Sequence, residues 1–192
     1  ALAGTFDSKG VEYLFVKDLI EEIGLKVFTI NTGVFEPAFA VDVSNDEVAS
    51  AAGYDIKQIQ EKRDRAYATK AISEGMEKLL PELYRQEKFD GVLSFGGSGG
   101  TSLVTPGMRA LPIGVPKLMV STMASGNVEQ YVGTSDIIMM PSVVDVSGLN
   151  SISSKIFSNA AYAIAGMVKY ESKNEIEQKP VIVATMFGVT TP

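Results

Sequence analysis

Short apolar runs alternate with longer segments of helical periodicity along most of this chain. The runs are predicted as strands over residues 1–3, 26–30, 91–95, 117–120, 137–140 and 181–184. Between them, apolar residues recur at helix spacing, as at Leu14, Leu19 and Ile23. Continuous apolar strands that alternate with helices are typical of a parallel sheet buried on both faces. The pattern predicts an α/β fold: a Rossmann-like, doubly wound, mostly parallel sheet with helices on both faces.

Capping and breaking residues set the predicted helix ends. The first helix ends at Gly24, and Asp7 or Ser8 is a candidate N-cap. A capping box from Ser44 to Glu47 opens a short helix over 46–52. A long helix covers 59–86, with Pro81 expected to kink or divide it. Further helices are predicted over 101–109, 127–131 and 151–170.

Small polar residues follow almost every predicted strand. These strand ends are Gly4-Thr5, Asn31-Thr-Gly33, the stretch from Gly96 to Thr101, the stretch from Ser121 to Gly126, and Ser142. In a parallel sheet the carboxyl ends of the strands share one edge, where open α/β folds bind their ligands. The sequence therefore predicts a polar, anion-binding cleft along that edge.

The most distinctive of these strand ends is glycine-rich. It consists of Gly96, Gly97, Ser98, Gly99, Gly100 and Thr101, followed by a predicted helix. Bare backbone amides ahead of a helix N-terminus favour a phosphate or carboxylate. The alternative is a turn that only allows the strand and helix to pack closely. The stretch is neither a Walker A motif nor the dinucleotide G-x-G-x-x-G motif, because Ser102 replaces its third glycine.

The loop after the first strand supplies a second set of candidates: Thr5, Asp7 and Lys9. A lysine at a helix start opposes the helix dipole, which suggests that Lys9 has another role, such as binding a ligand phosphate. The charged stretch Glu61-Lys-Arg-Asp-Arg65, at the start of the predicted long helix, is most simply a solvated face, although Arg63 or Arg65 could reach the site.

Composition removes several kinds of chemistry. The 192 residues include no cysteine and no histidine, which excludes disulfides, thiol nucleophiles, imidazole bases and ordinary zinc sites. We therefore predict no metal site built by the chain, and magnesium only as a companion of a bound ligand. A net charge of −6 argues against a nucleic-acid surface. No apolar run has the length of a membrane span and no leader pattern opens the chain, so a cytoplasmic location is expected.

Residues 1–178 are predicted to form one nucleotide-binding domain whose first strand is truncated. Residues 179–192 are either its last strand or the start of a second domain. The second option arises because Val181 to Thr191 resembles the opening Leu2 to Lys9. The helix over 151–170 is rich in small residues, which favours tight packing on the sheet and a homo-oligomer.

Several motifs in order resemble one family: Gly4-Thr-Phe-Asp-Ser-Lys-Gly10, Phe95-Gly-Gly-Ser-Gly-Gly-Thr101, Leu111-Pro-Ile-Gly-Val-Pro-Lys117, Ser121-Thr-Met-Ala-Ser-Gly126 and Asp145-Val-Ser-Gly-Leu-Asn150. They are similar to the N-terminal ATP-binding domain of the family of the tomato mosaic virus resistance protein. The resemblance implies ATP, with or without magnesium, as the ligand, and a second domain after the Thr-Met-Phe-Gly-Val-Thr-Thr-Pro192 run. The candidate nucleotide-site residues are Gly4, Thr5, Asp7, Lys9, Gly96, Gly97, Ser98, Gly99, Gly100, Thr101, Ser121, Thr122 and Gly126.

Two other functions remain open from the sequence. One is an enzyme of small phosphorylated or carboxylated metabolites whose site is shared with the second domain, with Asp7, Lys9, Asp136 and Asp145 as acid or base candidates. An aspartate such as Asp145 is more commonly a turn or helix cap. The other is an interaction module for a protein partner.

Overall fold

A computed structural model describes residues 1–170 of the chain. Five strands are described: β1 (Leu2–Gly4), β2 (Thr29–Asn31), β3 (Val92–Gly96), β4 (Lys117–Ser121) and β5 (Ile138–Pro141). The helices are α1 (Gly10–Glu22), α2 (Asn45–Ala51), α3 (Ile56–Lys62), α4 (Arg65–Arg85), α5 (Ser98–Ala110), α6 (Glu129–Val132) and α7 (Ser153–Lys169). The predicted strand over 181–184, most of the polar segment before it and the proposed start of a second domain lie outside the described residues.

The strands form a single sheet in the order β2-β1-β3-β4-β5, and every neighbouring pair is parallel. Side chains alternate between two apolar layers, so Leu2 faces one side and Ala3 the other. Helices α1 and α7 cover the first side, while α2, α4 and α5 cover the second. The doubly wound α/β fold predicted from the sequence is confirmed.

β1 and β3 separate towards their carboxyl ends. Their register contains only the pair Leu2 and Leu93, and the side chain of Tyr13 from α1 lies where the strands diverge. The Tyr13 hydroxyl lies 2.7 Å from the Phe95 carbonyl oxygen and accepts the Phe95 N–H at 3.1 Å. Burial raises the pKa of the Tyr13 phenol well above its usual value, so it stays neutral. Chain connections also leave in opposite directions from β1 and β3, which makes this gap the topological switch point of the sheet.

Two helices differ most from the sequence-based predictions, and β2 begins at Thr29 instead of the predicted residue 26. Helix α5 starts at Ser98 with Gly97 as its N-cap, not at Thr101, so Gly99 and Gly100 lie in its first turn. The predicted helix over 59–86 is two helices, because Arg63 adopts a left-handed conformation (φ 50°) and Asp64 caps α4. Pro81 does not divide α4, which continues through it.

The sequence-based predictions for the two ends of α1 have different outcomes. Gly24 (φ 85°) follows the last turn in a Schellman arrangement, in which its N–H donates to Glu21 O and the Leu25 N–H donates to Ile20 O. The predicted side-chain cap at the other end is wrong. Lys9 occupies the N-cap position with no side-chain hydrogen bond to the helix, and Asp7 is engaged elsewhere.

Glycines allow α4 and α5 to pack closely. A Cβ at Gly107 of α5 would lie 2.6 Å from the Met76 carbonyl oxygen of α4. A Cβ at Gly75 of α4 would lie 2.0 Å from the Val48 carbonyl oxygen of α2. These contacts fix the layer that carries both α4 and α5, so the first residues of these two helices are held side by side.

Candidate functional site

A cleft of about 380 Å³ opens at the carboxyl edge of the sheet, around the gap between β1 and β3. It brings together seven of the residues predicted from the sequence: Thr5, Asp7, Lys9, Gly97, Ser98, Gly99 and Gly100. Residues outside that prediction complete its walls, chiefly Thr32, Gly33, Phe35, Arg65, Thr69 and Asp145, of which Arg65 and Asp145 were weighed as alternatives. The cleft therefore joins the loops after β1, β2 and β3 to the start of α4.

The glycines after β3 are not explained by close packing alone. A Cβ at Gly97 or Gly100 would meet only ordinary contacts, at 3.7 Å from Thr122 Oγ1 and from the Phe95 carbonyl oxygen. A Cβ at Gly99 would lie 3.2 Å from Nη2 of Arg65, the mobile end of a long side chain. Of this group, Gly96 has a packing role, since its Cβ would lie 3.2 Å from the Gly100 Cα. The other three line the cleft, and no backbone atom of residues 1–170 comes closer than 3.7 Å to the position of their Cβ. The Cβ position of Gly99 is the one that faces a cleft side chain, that of Arg65.

The start of α5 makes this floor electropositive. The first N–H groups of a helix have no intrahelical acceptor, and the helix dipole is positive at that end. In α5 they belong to Ser98, Gly99 and Gly100, since the first helical bond is donated by Thr101 N–H to Gly97 O at 3.0 Å. A phosphate or carboxylate in the cleft would meet these amides directly.

Arg65 adds a full positive charge above the same turn. Asp64 caps α4 through hydrogen bonds from the N–H groups of Ala66 and Tyr67, which places Arg65 as the first residue of the helix. Its guanidinium reaches the position that a Gly99 side chain would occupy. Arg65 therefore lies in the cleft, whereas Arg63 lines a neighbouring cavity.

Lys9 lines the cleft but is also tied to the loop after β5. Its ammonium group donates to the Val146 carbonyl oxygen. The carboxylate of buried Glu12 accepts the Gly148 N–H at 2.5 Å. Together these bonds hold the 145–148 segment against α1 and bring Asp145 to the cleft. Asp145 does not cap α7, where Asn150 accepts the N–H groups of Ile152 and Ser153.

Asp7 links two segments of the opposite wall of the cleft. Its Oδ2 accepts the Phe35 N–H at 3.0 Å, which joins the loop after β1 to the segment after β2. Thr32 lies on the same wall, and its buried Oγ1 has no hydrogen-bond partner among residues 1–170. A buried hydroxyl usually has a partner, so Thr32 is suited to contact a polar ligand.

Six of the predicted residues do not line the cleft: Gly4, Gly96, Thr101, Ser121, Thr122 and Gly126. Gly4 packs against the Tyr13 ring, and a Cβ added at this position would overlap the Tyr13 hydroxyl oxygen. Thr101 and Ser121 share a buried hydrogen bond of 2.7 Å between their hydroxyls, beneath the start of α5. The loop after β4 thus supports the floor of the cleft without contacting its interior.

Asp136 lies at the opposite end of the strands from the cleft, next to the amino ends of β4 and β5. Its Oδ1 is 2.5 Å from Nζ of Lys117, whose ammonium is buried at the amino end of β4. Partial burial alone raises the pKa of Asp136, but hydrogen bonds from Lys117 and the Gly114 N–H outweigh it and lower that pKa below its usual value. Asp136 therefore cannot act with Asp7 and Lys9 in one site. Within residues 1–170, no group of three or more acidic side chains could hold a metal ion.

The chain forms an α/β domain with a polar cleft at the switch point of a parallel sheet. Residues 1–173 match the N-terminal domain of the uncharacterised protein family UPF0261, and the chain belongs to that family. No helix in the described part of the chain is long and apolar enough to cross a membrane.

Relatives occur in bacteria and in a plant. A UPF0261 protein of Clostridium tetani is 48% identical over 99% of this chain and 47% of its own length. A UPF0261 protein of Rhizobium meliloti is 43% identical over 100% of this chain and 47% of its own length. The ToMV resistance protein Tm-1(GCR237) of Solanum lycopersicum is 46% identical over 67% of this chain and 18% of its own length. The chain thus spans about half the length of the bacterial relatives.

Proposed function

We propose that this domain binds a nucleotide, ATP with magnesium, and holds its phosphates in the cleft between the ends of β1 and β3. The observation that carries the proposal is the glycine-rich first turn of α5, where Gly97, Gly99 and Gly100 line the cleft although no backbone atom of residues 1–170 requires glycine there. Backbone amides of this kind bind phosphates at helix N-termini. The resemblance of the motifs to an ATP-binding family favours ATP among the possible anions.

The charges of the cleft favour an anion that carries a cation. Arg65 and Lys9 attract phosphates, whereas Asp7 and Asp145 would repel a bare polyphosphate. Magnesium bound to the phosphates turns both carboxylates into favourable neighbours, because Mg²⁺ prefers oxygen ligands and keeps several of its waters. We therefore expect magnesium to strengthen binding.

Calorimetric titration with ATP, with and without magnesium, tests the proposal. We expect Arg65→Ala to weaken binding by about tenfold or more, since a charge-assisted contact to phosphate contributes roughly 1.5–3 kcal/mol. The matched control is Arg85→Ala, which removes an exposed arginine at the other end of the same helix. Equal affinities for the two variants, or no binding of ATP to the unaltered chain, would contradict the proposal.

A second candidate is an enzyme of small phosphorylated or carboxylated metabolites. Asp145 favours it, because this exposed carboxylate points to no hydrogen-bond donor among residues 1–170 and lies on the cleft beside Lys9. Such an enzyme would complete its site with the further length that the bacterial relatives have. Release of product from a bound phosphorylated ligand, lost in Asp145→Asn while binding is retained, would favour this candidate over a binding module.

A further inference from the structure

A second cavity, of about 880 Å³, adjoins the polar cleft. The two share Val34, Phe35, Arg65 and Ala68, so they form one continuous depression with a polar and an apolar part. The exposed surface of the second part is mostly apolar, with Val34, Phe35, Ile59 and Ala68 among its walls. The remaining walls come from five polar or charged residues, which are Gln60, Glu61, Arg63, Asp64 and Arg65. This part lies where the left-handed turn at Arg63 separates α3 from α4.

Phe35 stands at the boundary of the two parts. Its side chain is 61% exposed, and it is the only exposed phenylalanine among residues 1–170. Both cavities include it among their walls. A ligand with its anionic end on α5 would therefore bring its other end next to this ring.

The backbone that carries the Phe35 ring is firmly held. Asp7 accepts the Phe35 N–H, and Nδ2 of Asn45 donates to the carbonyl oxygens of Gly33 at 2.9 Å and of Phe35 at 3.3 Å. Nε2 of Gln60 donates to the Val34 carbonyl oxygen at 2.7 Å. An exposed aromatic ring on a segment fixed by three side chains is preorganised for contact, because little further ordering is needed on binding.

We infer that the apolar cavity takes the aromatic base of the nucleotide, with Phe35 as the residue against which the base stacks. This inference rests on the proposed function, since it places the phosphates of the same ligand on α5. Bases stack on aromatic side chains because both present flat π-faces, and the neighbouring guanidinium groups of Arg63 and Arg65 add cation–π attraction to such a ring. Phe35 is then a specificity residue, which distinguishes a nucleotide from a plain polyphosphate.

The test compares two probes, ATP and inorganic triphosphate, each with magnesium, in calorimetric titrations of the chain. We expect ATP to bind more tightly than triphosphate. We expect Phe35→Ala to lower the affinity for ATP by about tenfold, since base stacking contributes roughly 1–3 kcal/mol. The affinity for triphosphate should change by less than about twofold, because the anion site is untouched.

The matched control is Tyr162→Ala, which removes a half-exposed aromatic ring from α7 on the other face of the sheet. Phe35 is exposed, so Phe35→Ala should fold normally, and its thermal midpoint checks this. The inference is overturned if Phe35→Ala leaves ATP affinity unchanged or if triphosphate binds as tightly as ATP. Failure of the underlying function looks different, because then neither probe binds the unaltered chain.

Discussion

Single residues in this domain separate into those that serve packing and those that serve the cleft, and glycine shows the difference most clearly. Gly4 and Gly107 are each required by a neighbour that a Cβ would meet within 3 Å. Gly97 and Gly100 have no such neighbour, yet both line the cleft. The same residue type therefore has opposite consequences when it is replaced.

Replacing Gly100 by alanine separates stability from binding. The Cβ fits the folded chain, and alanine in a helix is favoured over glycine by about 1 kcal/mol, so the free energy of unfolding should stay equal or rise. Gly100 also lines the cleft beside the free N–H groups of α5, so we expect the added methyl group to lower the affinity for ATP by about tenfold or more. Urea unfolding and calorimetry on one preparation measure both. A variant that is destabilised and still binds would show that Gly100 serves packing.

Asp136→Asn tests the ion pair between Asp136 and Lys117, which lies at the amino ends of the strands. The change leaves the buried Lys117 ammonium without a charged partner, so the free energy of unfolding should fall by about 1–2 kcal/mol at neutral pH. Because the folded state lowers the pKa of Asp136, its contribution is present above the unfolded pKa of about 4 and is lost as pH falls through the folded value. Unfolding curves of the two proteins should therefore converge below about pH 4. Affinity for ATP should not change, since Asp136 is remote from the cleft.

At the scale of elements, the sequence predicted strands better than helix ends. β1, β3 and β4 are buried and largely apolar, and these three lie close to their predicted positions. β2 is the less apolar segment Thr29-Ile-Asn31, and the residues of β5 are exposed or only partly buried. The start of α5 was placed too late because Gly99 and Gly100 read as loop residues, although a helix N-terminus tolerates them. The break before α4 was missed because Arg63, without glycine or proline nearby, carries the left-handed turn. The sequence left open whether Arg63 or Arg65 reaches the site, and it did not single out Phe35, because their positions in the cleft depend on segments brought together by the sheet.

The contact between α4 and α5 yields a paired prediction. Gly107→Ala forces a methyl group against the α4 backbone, and we expect it to lower the free energy of unfolding by about 1–3 kcal/mol. Gly166→Ala in α7 is the control, because a Cβ there meets no atom of residues 1–170 within 4 Å. It should raise stability by about 0.5–1 kcal/mol through helix propensity alone. Urea denaturation shows whether each variant lowers or raises the free energy of unfolding. Similar effects from both variants would show that α4 and α5 are not in close contact.

For the whole molecule, the two ends of the strands have different roles. The carboxyl ends border the cleft, whereas the amino ends carry the ion pair between Lys117 and Asp136. Ligand binding should stabilise the folded state by about 2.7 kcal/mol at a free concentration one hundred times the dissociation constant. Hydrogen exchange with ATP and magnesium should slow mainly in the segments 5–9, 32–35 and 97–100. The segment 111–117, beside Lys117 and Asp136, is an internal reference at the amino ends. Equal slowing at both ends of the strands would indicate global stabilisation without a local site.

The order of the strands also has a consequence for how the chain acquires its structure. β1 forms hydrogen bonds on both sides, and its partner at Leu2 on one side is Leu93, far along the chain. Such long-range pairing slows folding, because a large loop must close before the contact forms. During synthesis, the loop after β1, which contains Thr5 and Asp7, cannot become part of the cleft until β3 has left the ribosome. The cleft therefore forms only after β3 has joined the sheet, and a nascent chain that stops before Gly97 should be unable to retain the ligand.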